Sequence, residues 1–315
     1  MTSPSLPIRP AFALRVGITG TRDIPEDNRE RLHNDLTNIL SAAARTAQHQ
    51  STTHLSKAVF ESGPSLRFLS PLARGADRLA AAAALAEGFT LHVPMPFPQA
   101  EYEQDFTADH DLAEFHALLS QAASYICLDG DREHDRNRGY EAVGRYVARN
   151  CDLLLAVWDG APPDHRGGTA EIVEFALTSG VPIIWLHAHT QSPPVWLEDM
   201  QDLRDAVGQA RHGAPAPARG VFEHLTAHLH TLVHPPAPCP RSPHSLLARV
   251  AHFAHRKTVD PLREYYHATY LPDRDIWRVH AWFMRIMAQQ NTRPAKIAKP
   301  ITNAVALYWH DRYVH

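Results

Sequence analysis

Leu153-Leu154-Leu155-Ala156-Val157-Trp158, then Arg166-Gly167-Gly168-Thr169-Ala170-Glu171, then Ile172 to Thr178 reads as strand, glycine turn, helix. Two adjacent glycines let backbone N–H groups approach a ligand closely. The first turn of the following helix adds unpaired donors and a positive dipole end, so the loop suits a phosphate or another anion. Glu171 lies one turn into that helix, within reach of a sugar hydroxyl or an anomeric carbon. Taken alone, the same residues also describe a plain chain reversal. The rest of the chain decides between the two.

Working outward, the unit repeats. Leu14 to Gly20 is a short β-branched run that precedes a helical pattern over Glu26 to Arg45. Leu66 to Leu69 precedes an alanine-rich helix over Ala76 to Ala86, and Thr90 to Val93 precedes a helix near Phe106 to Ala123. Ser124 to Leu128 leads to a helix over Tyr140 to Asn150, and Val181 to Leu186 closes the series. Strands separated by helices pair in parallel through right-handed crossovers. The expected fold is therefore α/β, a doubly wound, mainly parallel Rossmann-like sheet, whose ligands bind beyond the carboxyl ends of the strands. The segments at those ends, Thr21 to Asp23, Pro71 to Asp77, Pro94 to Pro98, Asp129 to Arg138 and Asp159 to Glu171, are rich in Gly, Pro, Arg and Asp. All five should converge on one rim.

Individual loops supply the candidates. Gly17-Ile18-Thr19-Gly20-Thr21-Arg22 ends the first strand in a tight turn, where Gly20 and Thr21 could expose N–H groups and Arg22 could add a charge-assisted contact. It is not the GxGxxG dinucleotide fingerprint, which disfavours an NAD-dependent dehydrogenase. Arg74-Gly75-Ala76-Asp77 sets a glycine at a helix start with Arg74 just before it, and Asp77 either meets the ligand or complements the helix dipole. Asp129 to Arg138 reads as a charged lid or a solvated loop. Tyr102 or Phe106 could stack on a base or pack in the core. His187 and His189 follow the last strand and lie near the rim.

The ordered set Gly17 to Asp23, Ala73 to Asp77, and Asp152 to Gly160 followed by Gly167-Gly168-Thr169-Ala170-Glu171 resembles the SLOG group of Rossmann-like domains, over about residues 14 to 187. That group takes in the Smf/DprA family and the lonely-guy phosphoribohydrolases. The resemblance implies a nucleotide or nucleotide-derived ligand, bound by sensors in bacterial antiphage and conflict systems or cleaved at the N-glycosidic bond by enzymes. It would make Gly20, Thr21, Arg22, Arg74, Gly75, Asp77, Arg166, Gly167, Gly168 and Thr169 the ligand-binding set. The enzymatic branch carries Pro-Gly-Gly-x-Gly-Thr-x-x-Glu. This chain has one residue between Thr169 and Glu171 and lacks the Pro-Gly-Gly-x-Gly spacing, so Glu171 and Asp159 stand as candidate catalytic carboxylates only.

Composition bounds the classes. The chain has 315 residues, 44% of them hydrophobic and 21% charged, enough for one large domain with an appendage. Cys127, Cys151 and Cys239 are odd in number and widely spaced, which suggests no disulfide framework and fits a reducing cytoplasm. No signal peptide and no membrane span are expected. Among the histidines, His224, His228, His230 and His234 form two i,i+4 pairs without a carboxylate or cysteine pattern, so no metal is expected. No cofactor is expected either.

The division expected is a Rossmann domain over residues 1–190, a proline-rich connecting region over 191–240, and a basic helical tail over 241–315. From Arg241 onward twelve Lys/Arg stand against five Asp/Glu, leaving nineteen against twenty-nine for residues 1–240. With no RNA-type aromatic motif or zinc-finger spacing, nucleic acid is disfavoured as a partner. The tail could instead meet a second copy or an effector protein. Three readings follow: a nucleotide-ligand sensor, an N-glycosidase or phosphoribohydrolase of nucleoside phosphates, and a non-catalytic interaction scaffold.

Overall fold

The computed structural model describes residues 11–53, 60, 63–162, 166–211 and 220–233. The chain divides into two compact units, Met1–Val233 and His234–His315, and every described residue belongs to the first. The tail expected over 241–315 lies outside the described residues.

Seven strands, β1 (Phe12–Gly20), β2 (Pro64–Leu69), β3 (Thr90–Met95), β4 (Ala122–Cys127), β5 (Leu153–Trp158), β6 (Ile183–His187) and β7 (Val195–Leu197), form one sheet in the order β4-β3-β2-β1-β5-β6-β7. All neighbours run parallel except β6 and β7, which are antiparallel. The helices are α1 (Glu26–Ser51), α2 (Ala76–Ala86), the short α3 (Gln99–Tyr102), α4 (Asp109–Leu119), α5 (Arg132–Arg149), α6 (Thr169–Thr178), α7 (Met200–Arg211) and α8 (Val221–Val233). From β1 the chain winds outward through β2, β3 and β4, then returns to β5 on the other side of β1 and winds the opposite way. Right-handed crossovers in opposite directions place helices on both faces, and the reversal falls between β1 and β5.

The elements follow from side-chain spacing. Leu32, Leu36, Ile39, Leu40, Ala43 and Ala47 recur at helical intervals and form the buried stripe of α1. Every residue of β5 is buried, as expected of a central parallel strand. Beneath it Val147, Ile172, Val173, Ile183 and Trp185 join one apolar cluster. β4 is different. It is an edge strand whose last five residues are exposed, with Tyr125 and Ile126 among the few large exposed apolar side chains.

Two expectations are corrected. The charged segment Asp129 to Arg138 is largely helical, because two aspartates cap it in succession. Asp131 accepts from the Glu133 and His134 N–H groups, the backbone kinks at Asp135, and Asp135 then accepts from Arg138 N at 3.0 Å. The sheet also does not close at Leu186. β7 adds an antiparallel edge right after Pro193-Pro194, and α8 packs against α1 through a stripe that includes Leu225, Leu229 and Val233. Residues 191–240, read as a connecting region, thus carry a strand and two helices, since a proline-rich flank does not prevent a short edge strand.

Candidate functional site

A cavity of about 780 Å³ opens at the carboxyl ends of β1 and β5, where the winding reverses. Gly20, Thr21, Arg22, Asp77, Asp159, Gly167, Gly168 and Thr169 all line it, so the structure brings eight of the expected residues together. Arg74, Gly75, Arg166 and Glu171 do not line it, and each has another task.

Gly75 has φ +84°, and a Cβ there would lie 2.3 Å from the Arg22 carbonyl oxygen. Its missing side chain lets the start of α2 close on the β1 loop, where Ala76 N–H donates to the Thr21 carbonyl at 3.1 Å. Arg74 pairs with Asp23 at the surface. The first N–H of α2, where an anion was expected, is therefore taken by the Thr21 carbonyl, although Gly75, like Gly168 at α6, provides no side-chain cap.

The start of α6 is arranged differently. Its N-cap residue, Gly168, offers no side-chain cap, and its first-turn N–H groups lack intrahelical acceptors as in any helix. Gly168, Thr169 and Ala170 face the cavity. Gly167 has φ +79°, and a Cβ there would lie 2.6 Å from Glu141 N, so this turn seats directly on α5. Beneath it runs an alternating chain of charges. Arg166 bonds Glu141, Arg145 bonds Glu141 at 2.6 Å, and Arg145 bonds Glu171 at 3.0 Å. Glu171 also accepts from Gly167 N–H at 2.8 Å. Burial would raise its carboxyl, but Gly167 and Arg145 hold it below the usual range. The proposed catalytic carboxylate is thus a brace for the glycine turn.

Asp159 stays at the rim and accepts from Ala161 N–H at 3.0 Å. Asp77 is the other carboxyl in the wall, almost wholly buried. Burial pushes it from 3.8 up to about 7, against the opposing pull of the Ala73 N–H and of Arg22 and Arg78. The turn that presents it is tightly held. Leu72, with φ +59°, is the one positive-φ non-glycine among the described residues, and its N–H donates to Ser70 Oγ at 3.1 Å. Its carbonyl accepts from buried Arg78 at 3.1 Å.

Several lining residues carry no motif. Tyr140 donates to Asp105, which also receives Arg132 at 2.6 Å, and Arg22 lies over the Tyr140 ring at 4.9 Å. Burial and then Asp105 raise the Tyr140 hydroxyl above its ordinary value. Tyr102, buried and raised well above its ordinary value by desolvation, lines the cavity beside them, as do Arg136, Asn137, Trp158 and His189. The helical kink at Asp135 delivers Arg136 and Asn137, and helical spacing alone gives no sign of it. Phe106 does not line the cavity; it packs with Phe115 and under Arg78. Among the described residues no group of three or more His, Cys, Asp or Glu could hold a metal ion, and no helix is long and apolar enough to cross a membrane.

No family model matches the chain, and no curated protein matches it. Solved structures similar to it include DNA processing protein A from Streptococcus pneumoniae, at 14% identity and TM-score 0.39, covering 66% of this chain and 60% of that one. DNA processing protein A from Helicobacter pylori aligns at 15% identity and TM-score 0.38, over 70% of this chain and 82% of that one. The Moco carrier protein of Chlamydomonas reinhardtii aligns at 15% identity and TM-score 0.33, over 68% and 98%. The expectation that nucleic acid is disfavoured is withdrawn, because the Helicobacter structure is described by its single-stranded DNA binding mode. The chain has the doubly wound, mainly parallel α/β fold.

Proposed function

We propose that this unit binds a nucleotide or nucleotide-derived ligand in the cavity between β1 and β5 and acts as a sensor or regulatory module. One observation carries the reading: the uncapped first turn of α6 meets the cavity at the point where the sheet reverses its winding. Open N–H groups and the positive end of a helix dipole favour phosphate. Arg136 adds a cation to the same wall. A regulatory role is favoured over turnover because Glu171, the carboxylate with a catalytic precedent in the resemblance, is bound by Gly167 and Arg145.

Hydrolysis of an N-glycosidic bond is the second reading, favoured by Asp77 and Asp159 in the wall. A carboxyl near neutrality suits proton transfer to or from a reacting group. A thermal-shift panel of nucleoside monophosphates, cyclic nucleotides, NAD and a single-stranded oligodeoxythymidylate tests both readings, since a ligand of the native state must stabilise it. The sensor reading expects a mononucleotide to raise the melting temperature and to be recovered intact by chromatography. Released base, lost in Asp77→Asn, would establish the enzyme instead. Stabilisation by the oligonucleotide alone would overturn the mononucleotide reading.

A further inference from the structure

We propose that β4 accepts an extended acidic segment of a partner protein as an added strand, its glutamate side chains directed to a basic groove on the adjoining sheet face. The proposal does not depend on what the rim cavity holds.

The two edges of the sheet are built differently. β7 is three residues long, wholly buried, preceded by Pro193-Pro194 and followed by Glu198-Asp199, all of which discourage further pairing. β4 has none of these features. Its residues, Ala122-Ala123-Ser124-Tyr125-Ile126-Cys127, include no charge, proline or glycine, and the last five are exposed. No other strand among the described residues pairs with its outer side. Leu128 N–H donates to the Met95 carbonyl, so strand alternation turns the N–H and C=O groups of Tyr125 and Cys127 away from β3. An incoming strand pairs with such groups.

Charge selects the occupant. Beside β4 the sheet face holds a groove of about 260 Å³ whose lining includes Arg15, Arg67, His92, Ser124, Ile126 and Tyr146 but no aspartate or glutamate. Arg15 is paired with Asp152 at 2.8 Å. Arg67 donates to the Ser65 hydroxyl at 3.3 Å, and among the described residues no carboxylate pairs with it. His92 is held by the Thr90 and Ser124 hydroxyls, and burial and Arg67 disfavour its protonation. The uncompensated charge of the groove is therefore that of Arg67.

In an antiparallel β4 pair with a second copy, the two-fold axis stands perpendicular to the sheet. Both grooves then share one face, Arg67 toward Arg67, with no acid in either lining. An acidic strand answers the charge instead. It lies three strand spacings, about 14 Å, from β2, a gap that an arginine and a glutamate side chain span together. A nucleic-acid strand supplies phosphates but no backbone N–H in register with the open carbonyls of Tyr125 and Cys127. Alternation also fixes the other face, where apolar residues of the added strand fall beside Tyr125, 61% exposed.

Fluorescence anisotropy of the full chain with a labelled Val-Glu-Val-Glu-Val-Glu-Val peptide, and with its lysine counterpart, tests this. The glutamate peptide should bind at least about tenfold more tightly, and Arg67→Glu should reverse the preference. The glutamate peptide methylated at every backbone nitrogen keeps its charge and should not bind. Equal affinity for the two peptides, undiminished binding of the methylated one, or no binding up to about 1 mM overturns the proposal. So does a wild-type dimer in sedimentation that Tyr125→Pro dissociates, which assigns the edge to a second copy; the Tyr125 N–H faces outward, so proline there removes no ladder bond. An oligodeoxythymidylate that binds wild type but not Arg67→Glu, where the peptide fails to bind, assigns the groove to nucleic acid and overturns it too. The peptide comparisons use wild-type protein, so they decide the matter even if a variant misfolds.

Discussion

Glu171 Oε2 accepts the backbone N–H of Gly167 at 2.8 Å while Oε1 receives Arg145 at 3.0 Å, so one carboxylate ties the glycine turn to α5. Glu171→Gln keeps an acceptor but turns an amide N–H₂ or a neutral oxygen toward Arg145. The expected loss is about 1–2 kcal/mol, read as a melting temperature a few degrees lower. Because the Glu171 carboxyl is held low, its contribution is present above its unfolded value and is lost as pH falls through the lower folded one. Wild type and variant should therefore converge in stability as the solution is acidified.

Asp77 predicts the opposite slope. Its folded value of about 7 lies above the ordinary 3.8, so its share of stability is complete below the unfolded value and is lost as pH rises through about 7. At about 1.4 kcal/mol per pH unit the full effect is on the order of 4 kcal/mol. Asp77→Asn should be no more stable than wild type under acid conditions and more stable by a few kcal/mol above neutrality. Urea unfolding at several pH values checks this.

Gly75→Ala combines a positive φ with a Cβ 2.3 Å from the Arg22 carbonyl oxygen. The β1 loop must move away, breaking the contact from Ala76 N–H to the Thr21 carbonyl. The expected cost is roughly 1–3 kcal/mol, together with weaker ligand binding. Gly88→Ala is the control, since it shares a positive φ of +82° but meets nothing within 4 Å. Denaturation midpoints should fall further for Gly75→Ala.

Arg22 and Arg136 both line the cavity but differ in their ties to the protein. Arg136 is exposed on the kinked start of α5, whereas Arg22 lies over Tyr140. Arg136→Ala should weaken phosphate-ligand binding by about 1 kcal/mol or more, less at high salt, with an unchanged melting temperature. Arg22→Ala should lower affinity and melting temperature together. Titrations at two ionic strengths separate the cases.

Much of the frame was legible because apolar runs and glycines punctuate it. α2 spans Ala76–Ala86 and β5 spans Leu153–Trp158 as read, and β1 and β3 differ from their expected bounds only at the ends. The rim was legible too, since strand ends in a doubly wound sheet must share an edge. What stayed hidden depends on distant partners. Glu171 and Arg166 looked available until Arg145 and Glu141 arrived from α5, some 25 residues away in sequence. Gly75 reads in the chain as a phosphate-loop glycine, and only the fold shows the Arg22 carbonyl against it. β7 and α8 stand amid prolines, and what fixes them is packing on β6 and α1 rather than any local pattern.

The reversal between β1 and β5 has a mechanical side. Strands β2 to β4 hang from one flank of β1 and strands β5 to β7 from the other, and the cavity walls come from loops of both groups. A molecule seated there is a clasp across the seam. Occupancy should slow amide exchange in both groups in concert and lengthen the lifetime of the folded unit, making bound and free forms distinguishable to a protease that never touches the cavity.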